Sequence, residues 1–411
     1  MKYGKLSAGT VLNILLVLVF LTPAHLAAQQ YQVLYSFPGT PDGGGAYAGV
    51  AFDKKGDLYG TTSGGGAYQY GTVYKLKPQP SGQWSEKLLH SFSNGDPDGQ
   101  EPQAGVVFDP EGNLYGMTPL GGVNHSGTVF QMTPGADGWT FNLIYTFCSQ
   151  PNCSDGGVPW GNLVLDKAGN LYGTAFNVFE LIPGPDGWTE TVLHDFCQQP
   201  CNDGYLPFSG VILDAKGNLY GTTEKGGRYG WGTVFKVRHM PDGTWKERIL
   251  HNFPSFSGDG VEPGLGHVVL DGAGNLYGST FAGGTHRCGN SSCGTVFKLT
   301  AQPNGHWKET ILHEFKKISS GYGPTGGLTL DKAGNLYGTT IGGGNQCDCG
   351  VIYKLVPNPD GTWTYTVLHN FSGSDGAQPE ANLILDDNGN LYGTTVTGGP
   401  GGAGVVFKIT P

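Results

Sequence analysis

The sequence predicts an all-β fold, a seven-bladed β-propeller whose blades are four-stranded antiparallel sheets. Glycine supplies 72 of the 411 residues, far above the usual share of about 7%. Each helical glycine costs about 1 kcal/mol relative to alanine, so a helix-rich fold is disfavoured. No G-x-y period runs through the chain, which excludes collagen. Hydrophobic residues at 38% and aromatic residues at 12% are enough to build a packed core. One phrase, Asp-x-x-Gly-x-Leu-Tyr-Gly, recurs seven times. The first and last segments of the chain carry complementary parts of a single repeat unit.

The phrase starts at Asp53, Asp109, Asp166, Asp214, Asp271, Asp331 and Asp386, with 48 to 60 residues between starts. Fixed-period self-similarity of this length marks a repeat architecture. Four strand-like runs fill each unit, here named A to D. In the sixth unit they are residues 327–331, 335–340, 350–355 and 363–371. Each is rich in β-branched and aromatic residues and bounded by glycine or proline. The A–B link, Asp331 to Asn335, reads as a tight hairpin: its Asp accepts backbone N–H bonds and its Gly takes positive φ. Sevenfold recurrence makes these Asp residues turn caps rather than catalytic acids. The C–D link, Pro357 to Trp363, is a second turn.

Strand D opens on a packing Trp in six units (Trp84, Trp139, Trp188, Trp245, Trp307, Trp363). Further along it carries His90, His194, His251, His313 and His369, with Tyr35 and Tyr145 at the same position in the other two units. These are expected to wedge between blades rather than to bind metal. The mature chain opens with a D-type strand at residues 31–37 and ends with a C-type strand at residues 404–409. The first strand is therefore expected to complete the last blade and close the ring, which removes two open sheet edges.

The recurring G-N-L-Y-G-T-T, G-G, G-T-V-F-K-L and W-x-E-x-V-L-H-x-F segments resemble the Gloeo/Verruco (GloVer) tandem repeat over residues 31–411. The A–B phrase is also similar to NHL-type propeller repeats. The first resemblance implies an exported bacterial protein and carries no activity with it. The C-terminal surface anchor common in that family has no counterpart here, which leaves surface retention open.

Residues 1–28 read as a secretory signal peptide. Lys2 and Lys5 precede an apolar run from Val11 to Leu21, Pro23 breaks it, and Leu26-Ala27-Ala28 offers a cleavage site. An uncleaved anchor is the alternative, but the run is short against the roughly 20 residues a spanning helix needs. Residues 29–411 then form one propeller domain, expected to be secreted or periplasmic and monomeric, with no membrane span. Cleavage leaves 33 acidic and 21 basic residues, a net charge of −12, which does not favour nucleic acid or anionic lipid.

Eight cysteines fall in four local pairs, Cys148/Cys153, Cys197/Cys201, Cys288/Cys293 and Cys347/Cys349. In an exported chain they read as disulfides, and the C-x₂-C spacing of zinc sites is absent. The Cys347–Cys349 ring would be very small, so pairing across to the Cys288/Cys293 loop, or a reduced state, stays open.

Function is expected where the symmetry breaks. The D–A and B–C links emerge on one face, vary most and carry all the cysteines, and variable loops on a rigid scaffold are where binding usually lives. In six units the D–A link contains proline. The residue after that position (Tyr47, Gln103, Trp160, Phe208, Gly264, Thr325, Glu380) is expected to ring the mouth of the central channel. Glu101, Glu262 and Gln378 precede the proline. The B–C links add Tyr68, Tyr70, Tyr229, Trp231 and Phe281, and His267 replaces a small residue at the start of an inner strand.

Aromatic faces beside carboxylates suit a sugar. The binding candidates are Tyr47, Trp160, Phe208, Tyr229, Trp231 and His267, although the same aromatics could simply cover loop bases. The leading expectation is an exported, non-enzymatic propeller that binds an extracellular glycan or protein. A carbohydrate-active enzyme would instead use Glu101, Glu262 or Glu380, needing two carboxyls roughly 5–10 Å apart. A structural envelope protein is the third reading. No cofactor is expected, with one exception: Asn94, Asp96 and Asp98 resemble half of a calcium loop, in which Gly105 stands where the bidentate Glu belongs. P-loop, G-x-S-x-G and H-E-x-x-H motifs are absent.

Overall fold

In a computed structural model the chain forms seven four-stranded sheets, each ordered A-B-C-D. The structure describes Met1 and residues 29–411, apart from 95–96, 197–201, 255–257, 265, 290, 317 and 345–346. The signal segment, Asp96, Cys197 and Cys201 lie outside the described residues. Blade 1 comprises Ala51–Phe52, Leu58–Thr62, Thr72–Pro78 and Trp84–Ser91, paired antiparallel throughout. Blade 7 comprises Ile384–Leu385, Leu391–Thr394, Val405–Thr410 and, from the other end of the chain, Gln30–Ser36. Gln30 pairs with Thr410 and Ser36 with Val405, which closes the ring.

Strand A is shorter than its sequence predicts. In blade 6 only Thr329–Leu330 pair. The preceding Gly327 directs its N–H to the Asn382 side chain of blade 7, so contact between blades replaces the ladder close to the axis. The A–B turns match expectation. Asp214 Oδ1 accepts the N–H groups of Lys216 and Asn218, and Oδ2 accepts from the Asn218 amide and the Tyr220 hydroxyl. Burial pushes the Asp214 carboxyl up, and these hydrogen bonds outweigh it, leaving the group below its ordinary range.

The core lies between blades. Phe92, at the end of strand D of blade 1, is fully buried and packs edge-to-face on Phe130 of blade 2 at 5.4 Å. Tyr59 of blade 1 meets Trp139 of blade 2 at 5.6 Å. Such aromatic pairs add about 1 kcal/mol beyond the area they bury. The strand-D rings wedge between blades as expected: His90 stacks on Phe141 at 4.1 Å, His313 on Tyr365 at 4.0 Å and Tyr31 on His369 at 3.8 Å. At the other four seams the facing residue is a glutamate, Glu86, Glu190, Glu247 or Glu309. Burial and a neighbouring Asp push these carboxyls up to about 7, 7, 7 and 9 respectively.

Disulfides join Cys148 to Cys153, Cys288 to Cys293 and Cys347 to Cys349. The small ring therefore forms, and pairing across loops does not occur. Among the described residues no cysteine is free and no helix is long and apolar enough to cross a membrane.

Candidate functional site at the channel mouth

The D–A and B–C links of each blade run side by side on one face. Single backbone bridges join Gly44 to Gly64, Gln100 to Leu120, Tyr205 to Lys225, Tyr322 to Gly342 and Ala377 to Thr397. After each bridge the D–A link makes the same sharp bend. Gly45, Glu101, Val158, Leu206, Glu262, Gly323 and Gln378 all have φ between +53° and +69°. Only two are glycine, and a non-glycine residue held there costs of order 1–2 kcal/mol. With glycine at only two of the seven positions, the bend has no recurrent signature in the sequence.

The bend delivers the next residues inward. Tyr47, Gln103, Trp160, Phe208 and Glu380, from blades 1, 2, 3, 4 and 7, line one depression with Asn162, His267 and Asn382. Trp160 and Phe208 stand 5.4 Å apart at 42°. Two members of the expected ring do not reach the mouth. Thr325 is buried, and the next residue, Gly326, lies against the blade 7 backbone at Ala381. Gly264 is covered by the Glu224 side chain.

Below the mouth comes a sevenfold position occupied by Gly49, Gly105, Asn162, Gly210, His267, Gly327 and Asn382. Asn162 accepts the Gly105 N–H at 2.6 Å. The Asn382 amide lies 2.7 Å from His267 Nδ1. Sequence reasoning singled out His267 and missed the two asparagines, which stand in glycine's place in the same frame. Beneath them the channel has a volume of about 480 Å³ and is lined by inner-strand residues such as Phe52, Val107, Ile212 and Ile384.

Burial shifts the titration of the mouth. It raises the Glu380 carboxyl to about 7 and lowers His267 to about 4. Burial, followed by the charges of Glu380 and Glu101, holds the Tyr47 hydroxyl above its ordinary range. Among the described residues lining the mouth there is no Lys or Arg, and Glu380 is the only carboxylate. The depression, about 60 Å³ in volume, thus combines half-buried aromatic rings, amides, an imidazole whose charging burial disfavours and an acid whose carboxyl burial raises.

A family model, the Gloeobacter/Verrucomicrobia repeat, matches residues 17–212 and 207–411. The chain belongs to this family. In this Gloeobacter/Verrucomicrobia repeat protein two copies of the family model together span the whole ring. No curated protein matches it. Among solved structures it is similar to an ancestral GH74 enzyme, with TM-score 0.58 and 11% identity over 90% of this chain and 48% of that one. It is also similar to PorZ, a bacterial surface component of the type-IX secretion system of Porphyromonas gingivalis. There the TM-score is 0.50 and the identity 15%, over 92% of this chain and 47% of that one. The repeat protein spans about half the length of each, and at these identities the likeness is one of fold.

The remaining candidates of the repeat protein lie away from the mouth. Trp231 is half-buried against the core between blades 4 and 5, with Lys225 Nζ 5.6 Å above its ring. Tyr229 is 47% exposed beside the Arg228 guanidinium. Glu262 is ion-paired with Lys225. Glu101 occupies a bend position. Asp98 Oδ2 is 2.8 Å from His90 Nε2, and Gln100 donates to Asn94 Oδ1.

Blade 3 has the shortest B–C link, with only Ala175 and Phe176 between strands. A hollow of about 730 Å³ opens beside it, lined by residues including Ser126, Asn152, Ser154, Val158, Phe176 and Tyr205. Phe176 is 41% exposed there.

Proposed function

We propose that this exported propeller binds an uncharged glycan at the channel mouth, without turning it over. One observation carries the reading: Tyr47, Trp160 and Phe208 converge from three blades around Gln103, Asn162, His267, Glu380 and Asn382. Aromatic planes accept the C–H faces of sugar rings, and the amides and acid exchange hydrogen bonds with hydroxyls. The lack of a cationic lining disfavours phosphate and polyanionic chains. The hollow beside blade 3 supports an extended ligand, because it adds exposed Phe176 on the same face.

The test is a panel of neutral and acidic polysaccharides, scored for binding and for released products. The expected result is saturable binding of a neutral glycan that Trp160→Ala weakens by about tenfold, or about 1.4 kcal/mol, while Tyr229→Ala leaves it intact. Absence of binding across the panel would overturn the reading. A second reading, hydrolysis, is favoured by one feature, the Glu380 carboxyl poised near neutrality as a general acid would be. It requires products that disappear in Glu380→Gln, and it lacks a partner carboxylate at the mouth.

A further inference from the structure

Seven seams join the blades, and all seven place a strand-D His or Tyr against strand D of the next blade. At two of the three seams where the facing residue is aromatic, the histidine bonds an Asp of the D–A link; at the third, His313 Nε2 is buried without a partner. His90 Nε2 lies 2.8 Å from Asp98 Oδ2 and His369 Nε2 lies 3.0 Å from Asp375 Oδ2. Two seams instead face the histidine with a glutamate, and there the geometry opens. His194 Nε2 is 3.3 Å from Asp203 Oδ2. His251 Nε2 is 3.6 Å from Asp259 Oδ2 and 3.4 Å from Glu309 Oε2. Both of these Nε2 atoms, with Oε1 of Glu247 and Glu309, are buried without a hydrogen-bond partner. Burying polar atoms unpaired costs about 1–3 kcal/mol each.

We propose that the seam between blades 4 and 5 is a divalent-cation site of the zinc type, with His251 Nε2, Asp259 and Glu309 as ligands. The three ligand atoms lie within 4.8 Å of one another. Ligands about 2.0–2.1 Å from zinc at the tetrahedral angle stand about 3.3 Å apart. The His–acid separations of 3.4 and 3.6 Å suit two ligands of one ion better than a hydrogen bond. One imidazole and two carboxylates suit zinc, and the carboxylates balance its charge. The ligands are also held by their surroundings: Asp259 Oδ1 accepts the Gly260 N–H at 2.7 Å, and the His251 ring sits edge-on to Phe253 at 4.6 Å. The three side chains keep 17%, 15% and 13% of their surface exposed, while the His251 Nε2 atom itself is covered. The ion would tie strand D of blade 4, the link that follows it and strand D of blade 5 into one cross-link. His194, Asp203 and Glu247 are the same residue types at the corresponding positions one seam earlier.

The test titrates chelator-treated protein with ZnCl₂ alone, following heat release and the thermal midpoint, and repeats it with CoCl₂, following visible absorption. Wild type should bind zinc with a rise in midpoint and give the intense visible band of tetrahedral cobalt. Glu309→Gln should lose one equivalent of zinc or bind it at least about tenfold more weakly. His369→Gln, at an aromatic-faced seam, should bind zinc as wild type does. If wild type takes up no zinc or gives no tetrahedral cobalt band, or if Glu309→Gln binds as wild type does, the proposal is wrong. Should Glu309→Gln fail to fold, His251→Gln is read in its place, and the wild-type cobalt spectrum alone still decides.

Discussion

At the scale of single residues, the mouth is governed by what burial does to two titratable groups. Glu380 has its carboxyl raised from 4.5 to about 7 in the folded chain. A raised folded pKa means that the native state favours the protonated form. The stability tied to that proton is complete below about 4.5 and is lost as pH rises through about 7. Glu380→Gln stays neutral, so its thermal midpoint should gain on wild type between pH 4.5 and 7 and hold a constant lead above that; equal midpoints at pH 5 and pH 8 would contradict the burial argument. His267 shows the opposite shift, to about 4, and so stays neutral throughout this window as a partner for Asn382. Neither shift was legible in the sequence, because both depend on neighbours drawn from other blades.

At the scale of the strand pair, the glycine after Leu-Tyr has a steric cause. Gly278 pairs with Phe297 across strands B and C, and a Cβ on Gly278 would lie 2.5 Å from the Phe297 ring. The same contact recurs between Gly116 and Phe130 and between Gly338 and Tyr353. The glycine leaves room for the ring to lie flat across the neighbouring strand. Gly278→Ala should therefore destabilise by about 1–3 kcal/mol through overpacking, read from the urea midpoint. Gly274→Ala makes a useful contrast: it meets no neighbour, but its φ of +81° makes it a test of backbone strain alone. Turn and strand chemistry of this kind was legible because its cause lies within one hairpin. Strand A was misjudged in length because its partners near the axis are the neighbouring blades.

At the scale of the whole molecule, the ring closes through one strand from each end of the chain. Removing residues 29–36 would expose the edge of Val405–Thr410 and uncover Phe407, which Tyr31 covers. The truncated chain should lose cooperative unfolding and self-associate, and size-exclusion chromatography with a thermal melt would show it. A truncation that stays monomeric with an unchanged midpoint would mean that closure adds little.

Blade number, strand order and turn chemistry followed from the sequence alone. They are set by local pattern repeated seven times, and a residue present in every unit declares its own role. Which of the unrepeated residues meet was decided only by the tertiary structure. Tyr47, Trp160, Phe208 and Glu380 lie up to 333 positions apart and converge because the ring brings each inward bend to one axis. By the same geometry Thr325 is buried, Trp231 is held at the rim, and His251, Asp259 and Glu309 are brought together across a seam. Distance, burial and charge environment are properties of the closed ring, which no single repeat contains.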